Sequence, residues 1–213
     1  MWTSILWPAI EETLIMTFFA TVFSVIIGFI PAVIMILTAP DGLKPNKVIY
    51  GILDAIINIL RSLPFVILMV VLVPFTRAVV GTTIGTKGAI VPLTIAAAPF
   101  VARIIESALR EVDKGVIEAA KSFGASNGQI IFKVMLKEAT PSIIMGITLT
   151  IISIVGYSAM AGAIGGGGLG DAAIRFGYMR FQNDVMFFTV VILVVFVQGL
   201  QSLGNYIYKK QIK

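Results

Sequence analysis

The sequence predicts an all-α integral membrane protein: five transmembrane helices, with two short helices on the cytoplasmic face between helices 3 and 4. Three observations carry this. Apolar residues are 58% of the 213 and charged residues 13%, about half the charged share of an ordinary globular domain. The apolar residues gather into five runs, each reaching the roughly 20 residues that cross a bilayer core. The runs are continuous, whereas a membrane β-barrel would show strands of ~10 residues with alternating polarity.

The first run is Leu14–Leu37. Glu11 and Glu12 precede it where a cleaved leader would carry basic residues, and the run is too long for a leader's apolar core, so this span is expected to stay. Asp41–Lys47 connects it to the second run, Ile49–Phe75. Within that run Asp54, Asn58 and Arg61 recur at i, i+4 and i+7, on one helical face. Arg61 lies about 20 Å from the start of the run at 1.5 Å per residue. A lipid-facing charge at such depth costs at least ~2.5–3.5 kcal/mol, so the stripe faces protein or water. Two readings stay open: a hydrogen-bond network between helices, or part of a translocation path. Pro64 beside it marks a kink. The third run, Ala89–Leu109, ends in Arg103, Glu106 and Arg110, read as helix-pair ties. The fourth and fifth are Pro141–Ile164 and Val185–Ile207. There is no internal repeat or low-complexity linker, so residues 1–213 form one membrane domain.

Orientation follows from the basic residues. With the C-terminus inside, Lys44, Lys47, Arg110, Lys114, Lys121, Lys133, Lys137, Lys209, Lys210 and Lys213 are cytoplasmic. Arg77, Lys87, Arg175 and Arg180 fall on the other side. Five spans then put the N-terminus outside. Lys and Arg exceed Asp and Glu by 16 to 11, but they are scattered between apolar runs with no basic stripe, which argues against nucleic acid. The chain has no Cys and no His, so the usual metal ligands and general bases are missing.

The segment 110–140 breaks the apolar pattern. Asp113 is placed to cap a short helix from Lys114 to Phe123, and Gly124 stands where a left-handed residue ends it. Ser126 with Gln129 three residues later is a capping-box pattern for a second helix, Asn127 to about Lys137. Thr140–Pro141 reads as the cap and first residue of the fourth span. Ala119 and Ala120 remove side-chain bulk, so another surface can approach closely, with Glu118 and Lys121 as a charged rim.

Glu118-Ala119-Ala120 followed three residues later by Gly124 resembles the EAA---G motif of ATP-binding-cassette importer permeases. That family continues to Ile-x-Leu-Pro, where this chain has Val134-Met135-Leu136-Lys137. "PFTRAVVGTTIGTKGAIVPLTIAAAPFVARIIESAL" (74–109) and "GYSAMAGAIGGGGLGDAAIRFGY" (156–178) are similar to the methionine-import branch, and the likeness runs from about Arg61 onward. The resemblance implies a cytoplasmic coupling helix pair at 110–140, with Glu118, Ala119, Ala120, Gly124 and Ser126 meeting an ATPase. It implies a homodimer, two peripheral ATP-binding subunits holding ATP and Mg, and an extracytoplasmic binding protein delivering methionine or close analogues. It also implies a bacterial plasma-membrane location and no catalytic residue, cofactor or metal in this chain. Ser158 and Met160, among small residues of the fourth span, are then the expected pore lining together with Arg61, although packing accounts for the small residues equally well. Met160 offers a soft contact to a thioether.

Gly165-x-Gly167-x-x-Gly170 matches a dinucleotide fingerprint as a string, but it follows an apolar span rather than a strand, so it reads as a tight outer turn. No G-x-x-x-x-G-K-[ST] loop occurs. Three rivals remain: the same permease class for another amino acid or osmolyte, an ion-coupled secondary transporter, and an intramembrane enzyme. The second lacks the expected inverted repeat, and the third lacks His, Cys or paired carboxylates.

Overall fold

A computed structural model describes residues 1–212; Lys213, counted above with the cytoplasmic lysines, lies outside them. The described residues form helices joined by short connections. In chain order it forms α1 (Trp2–Thr38), α2 (Lys47–Ser62), α3 (Phe65–Val71), α4 (Val73–Val80), α5 (Gly85–Arg110), α6 (Lys114–Ser122), α7 (Asn127–Ala163), α8 (Gly168–Asp171, continued as a wide turn Ala172–Tyr178) and α9 (Asn183–Ile212). Four of these, α1, α5, α7 and α9, are long and apolar enough to cross a bilayer unbroken.

The second predicted span departs from expectation. Ile49–Phe75 is not one helix with a kink: α2 stops at Ser62, and α3 leaves at 104° to it. Leu63 is extended (φ −81, ψ 128), as the ring of Pro64 demands of the residue before it. Pro64 then has no N–H with which to carry the helix on.

Thr140–Pro141 is the second correction. No helix starts there: α7 runs from Asn127 to Ala163 with Pro141 inside it. Thr140 donates its hydroxyl backward to the Leu136 carbonyl, 2.7 Å, instead of capping. The helix does not stop near Lys137 because its inner face continues without interruption: Ile130, Ile131, Met135 and Ala139 all enter one apolar cluster. Membrane helices tolerate such a proline when neighbouring helices and hydroxyls serve the freed backbone.

The core has a principal seam, α1 against α5. At the end that carries α6, Ala32, Met35 and Ile36 of α1 meet Val101, Ala102, Ile105 and Leu109 of α5. Towards the other end Met16 and Ala20 meet Ala89, Leu93 and Ala97, joined by Phe65 and Met69 of α3 and Ile154 and Ala161 of α7. Small residues on both sides let the helices approach closely, the packing mode that operates where lipid supplies no hydrophobic drive between helices. α9 lies outermost: Ala9, Leu169 and Ala172 support its Ile192 and Leu193, and Val194 and Val195 stay exposed. With Phe18, Ile26, Ile30 and Ile67 also exposed, the surface fits hydrocarbon and not water.

Candidate functional site

At one end of the bundle α6 and the start of α7 make a hook. The Asp113 carboxylate accepts from the N–H groups of Gly115 (2.8 Å) and Val116 (3.3 Å), starting α6. The helix ends in a Schellman turn: Ala125 N–H donates to Ala120 O, 3.1 Å, and Gly124 N–H to Lys121 O, 2.9 Å. Gly124 sits at φ +76, which a Cβ would strain. Ser126 then starts α7 through a reciprocal box. Its N–H donates to Gln129 Oε1, 2.8 Å, and Gln129 N–H donates to Ser126 Oγ, 3.3 Å.

The two faces of α6 differ. Ile117 and Ala120, with Ala125 after the turn, pack on the core. Val116, Ala119 and Phe123 point away, Phe123 being 91% exposed, and Glu118 stands beside them. Sequence reading found both caps and Gly124; it expected both alanines to face another surface, but Ala120 follows Ile117 by three residues and packs with it on the core, leaving only Ala119 outward. It missed Phe123, whose only signal is an aromatic residue among small and charged ones.

Behind the hook, ionised groups tie α5 to its neighbours. Glu106 is 1% exposed. It accepts from Tyr50 Oη (2.9 Å) of α2 and from Arg103 (2.7 Å). Arg103 also pairs with Asp54 and donates to Asn58 Oδ1, 3.2 Å, so the stripe on α2 meets the stripe on α5. Arg110 pairs with Asp41 in the α1–α2 loop, 2.9 Å. A hydrogen bond from Arg110 holds the Asp41 carboxyl below the usual carboxylate range. Of the α2 stripe, only Asp54 and Asn58 join this network.

Arg61 stands apart, its guanidinium over the Phe100 ring at 5.4 Å. Nearby, Phe65 and Tyr157 stack with centroids 5.0 Å apart. On α7 the exposed positions Leu149, Gly156 and Met160 share one face. Ser158 is not brought to that face: it is 1% exposed and donates to Val155 O, 2.8 Å, inside its own protomer.

The glycine turn lies at the opposite end. Gly165, Gly167 and Gly168 have φ of +95, +81 and +79. The Glu12 carboxylate accepts from Gly168 N–H (2.6 Å), and the Thr13 hydroxyl accepts from Leu169 N–H (2.8 Å), so α1 caps α8. A Cβ on Gly167 would come within 2.6 Å of Glu12 Oε2. Sequence reading used Glu12 only as a charge; its partner is 156 residues away, beyond any local pattern. Among the described residues no group of three or more His, Cys, Asp or Glu is placed to hold a metal ion.

Residues 24–212 match the family described as binding-protein-dependent transport system inner membrane component. The chain belongs to this family. Within it, the chain is 49% identical over 208 residues to the probable D-methionine transport system permease protein MetI of Vibrio cholerae, covering 98% of this chain and 92% of the relative. It is 46% identical over 202 residues to the methionine import system permease protein MetP of Bacillus subtilis, covering 95% and 91%. The permease of a solved MetNI methionine ABC transporter in an inward-facing conformation superposes with TM-score 0.95 at 44% identity, covering 97% of this chain and 96% of that one. An amino acid ABC transporter solved with histidines shares the fold, TM-score 0.80 at 21% identity. This family member is a multi-pass membrane permease.

Proposed function

We propose that this permease is the membrane-spanning subunit of an ATP-driven importer of methionine and close analogues. The observation that carries the reading is near-full-length identity of 44–49% to proteins named for methionine transport, with α6 and its turn intact. Two copies of the chain, residues 1–213 each forming one domain, enclose the path. An extracytoplasmic binding protein loads it, and ATP is hydrolysed in two separate peripheral subunits. The N-terminus is outside and the C-terminus cytoplasmic, so the hook meets the ATPases. Glu118, Ala119, Ala120, Gly124 and Ser126 shape that contact: Ala119 admits a close surface, Ala120 seats the helix on the core, and the two caps keep the turn rigid. Motion of the ATPases is passed through α7, which runs unbroken from Asn127 into the bilayer. Met160, on the exposed face of α7, and Arg61 border the path. Ser158, facing inward, supports this helix from behind.

The test is ATP-dependent methionine uptake by proteoliposomes holding the permease, its ATPases and its binding protein. Gly124→Val forces a β-branched residue to positive φ at about 1–2 kcal/mol, and its Cβ meets no atom within 4 Å. Uptake should fall, or hydrolysis uncouple from it, with permease levels unchanged. Normal uptake in both Gly124→Val and Glu118→Lys would refute the coupling role. Wild-type liposomes that ignore methionine would refute the substrate.

A further inference from the structure

Among the described residues Arg61, Arg77 and Arg180 pair with no carboxylate, and of the three only Arg61 lies within an apolar run. Arg103 and Arg110 each hold two, and Arg175 holds Asp171 at 2.6 Å. Arg61 has only the Phe100 ring, and a cation–π contact satisfies none of its five N–H donors. It borders a cleft with Leu60, Leu63, Phe65, Phe100 and Tyr157, about 20 Å along α2 from Lys47. The cleft opens where α2 breaks, and the final carbonyls of a helix have no intrahelical partner. Donors for an anion, acceptors for an ammonium and aromatic walls therefore meet at one place.

We infer that this cleft is a binding subsite for the transported amino acid, with Arg61 taking its α-carboxylate. The inference rests on the methionine reading above. The ammonium group is served by the carbonyls ending α2. The side chain lies against Phe65 and Tyr157, towards Met160, which follows Tyr157 by three residues on α7. A second copy of the chain is a poor alternative source of the carboxylate. Of the 11 acidic residues, Asp54 and Glu106 stand at intermediate depth, and both are held by Arg103. The others all lie outside the five apolar runs. Lipid is no better, since an unsolvated arginine at this depth costs at least ~2.5–3.5 kcal/mol.

The experiment uses the complete permease–ATPase assembly in nanodiscs, without binding protein, and a diazirine analogue of methionine that keeps both the carboxylate and the ammonium. Irradiation should label residues 61–68 or 157–160. Methionine should protect, and methionine amide, which lacks the carboxylate, should need at least tenfold more for equal protection. Arg61→Gln should lower labelling at least tenfold. Arg61→Lys, which keeps the charge but loses the planar fork, should lower it several-fold. Labelling elsewhere, or equal protection by the amide, overturns the subsite. The amide comparison is made on the wild type, so it decides even where Arg61→Gln fails to assemble. Methionine uptake by the wild type is measured alongside: uptake with labelling elsewhere sinks the subsite alone, and no uptake sinks the methionine reading itself.

Discussion

Phe123 sits at the tip of the hook with 91% of its surface exposed, beside a turn whose other members are small or charged. Exposed aromatic rings framed by small residues are the usual anchors of protein interfaces. Phe123→Ala is therefore expected to weaken binding of the ATPase subunits by about 2 kcal/mol, roughly 30-fold. Titration of the ATPase onto permease in nanodiscs measures it, and unchanged affinity would remove Phe123 from the contact. The residues around it were legible because caps act locally. Asp113, Gly124, Ser126 and Gln129 each bond within a few positions in the chain, and type and spacing are enough to identify them. Phe123 was not legible, because whether an aromatic residue points in or out depends on which side Ile117 and Ala120 pack.

At the scale of elements, the tie between α2 and α5 joins the broken span to the helix that leads into α6. Glu106 is the buried centre of it, bonded to Tyr50 and Arg103. Glu106→Gln keeps the shape and leaves Arg103 and Arg110 paired with Asp54 and Asp41, but turns charge-assisted bonds to Tyr50 and Arg103 into weaker ones, at a cost of about 1 kcal/mol. The expected result is a lower thermal unfolding midpoint for the purified permease, and an unchanged midpoint would show the tie to be idle. The Asp41–Arg110 pair behaves differently. A carboxyl held low contributes fully above its ordinary value of about 3.9 and loses that contribution as pH falls through the lower folded value. Local opening of residues 39–46, read from hydrogen exchange after division by the intrinsic rate at each pH, should therefore stay flat between about pH 5 and 8 and rise only below about pH 4. Asp41→Asn should raise it throughout, and a rise near neutrality in the wild type would point to another group. Asp54, Asn58, Arg103, Glu106 and Arg110 were visible in the sequence as stripes at helical spacing, whereas Tyr50 and Asp41, outside any stripe, were not. The break at Leu63 was visible only as a proline. Pattern alone cannot say whether Pro64 bends a helix or ends it, since Pro31, Pro92, Pro99 and Pro141 all stay inside theirs.

For the whole molecule, the odd number of crossings puts the two termini on opposite faces, provided that α2 and α3 together make one crossing. The chain has no cysteine, so single cysteines at Ser4, Ser126 and Gln211 report the arrangement directly. An impermeant thiol reagent applied to intact cells should reach Ser4→Cys and should spare Ser126→Cys and Gln211→Cys. Labelling at Ser126→Cys with protection at Ser4→Cys would invert the assignment. Fold class and most of the span positions were legible because hydropathy acts over 20 residues at a time. The tie from Glu12 to Gly168 was not, since it exists only after distant segments meet.

That tie also sets an order of events during synthesis. The ribosome delivers Glu12 and Thr13 first, and the N–H groups they cap, on Gly168 and Leu169, arrive 156 residues later. At about 5–20 residues per second, the first helix waits roughly ten to thirty seconds for its partner. Until then the carboxylate has only water to solvate it, and the glycine turn has no template on which to close. The far end of the bundle thus closes only after α7 has been made, and α9, which rests on Leu169 and Ala172, follows it. A chain that ends before Gly168 leaves Glu12 and Thr13 without the N–H groups they cap.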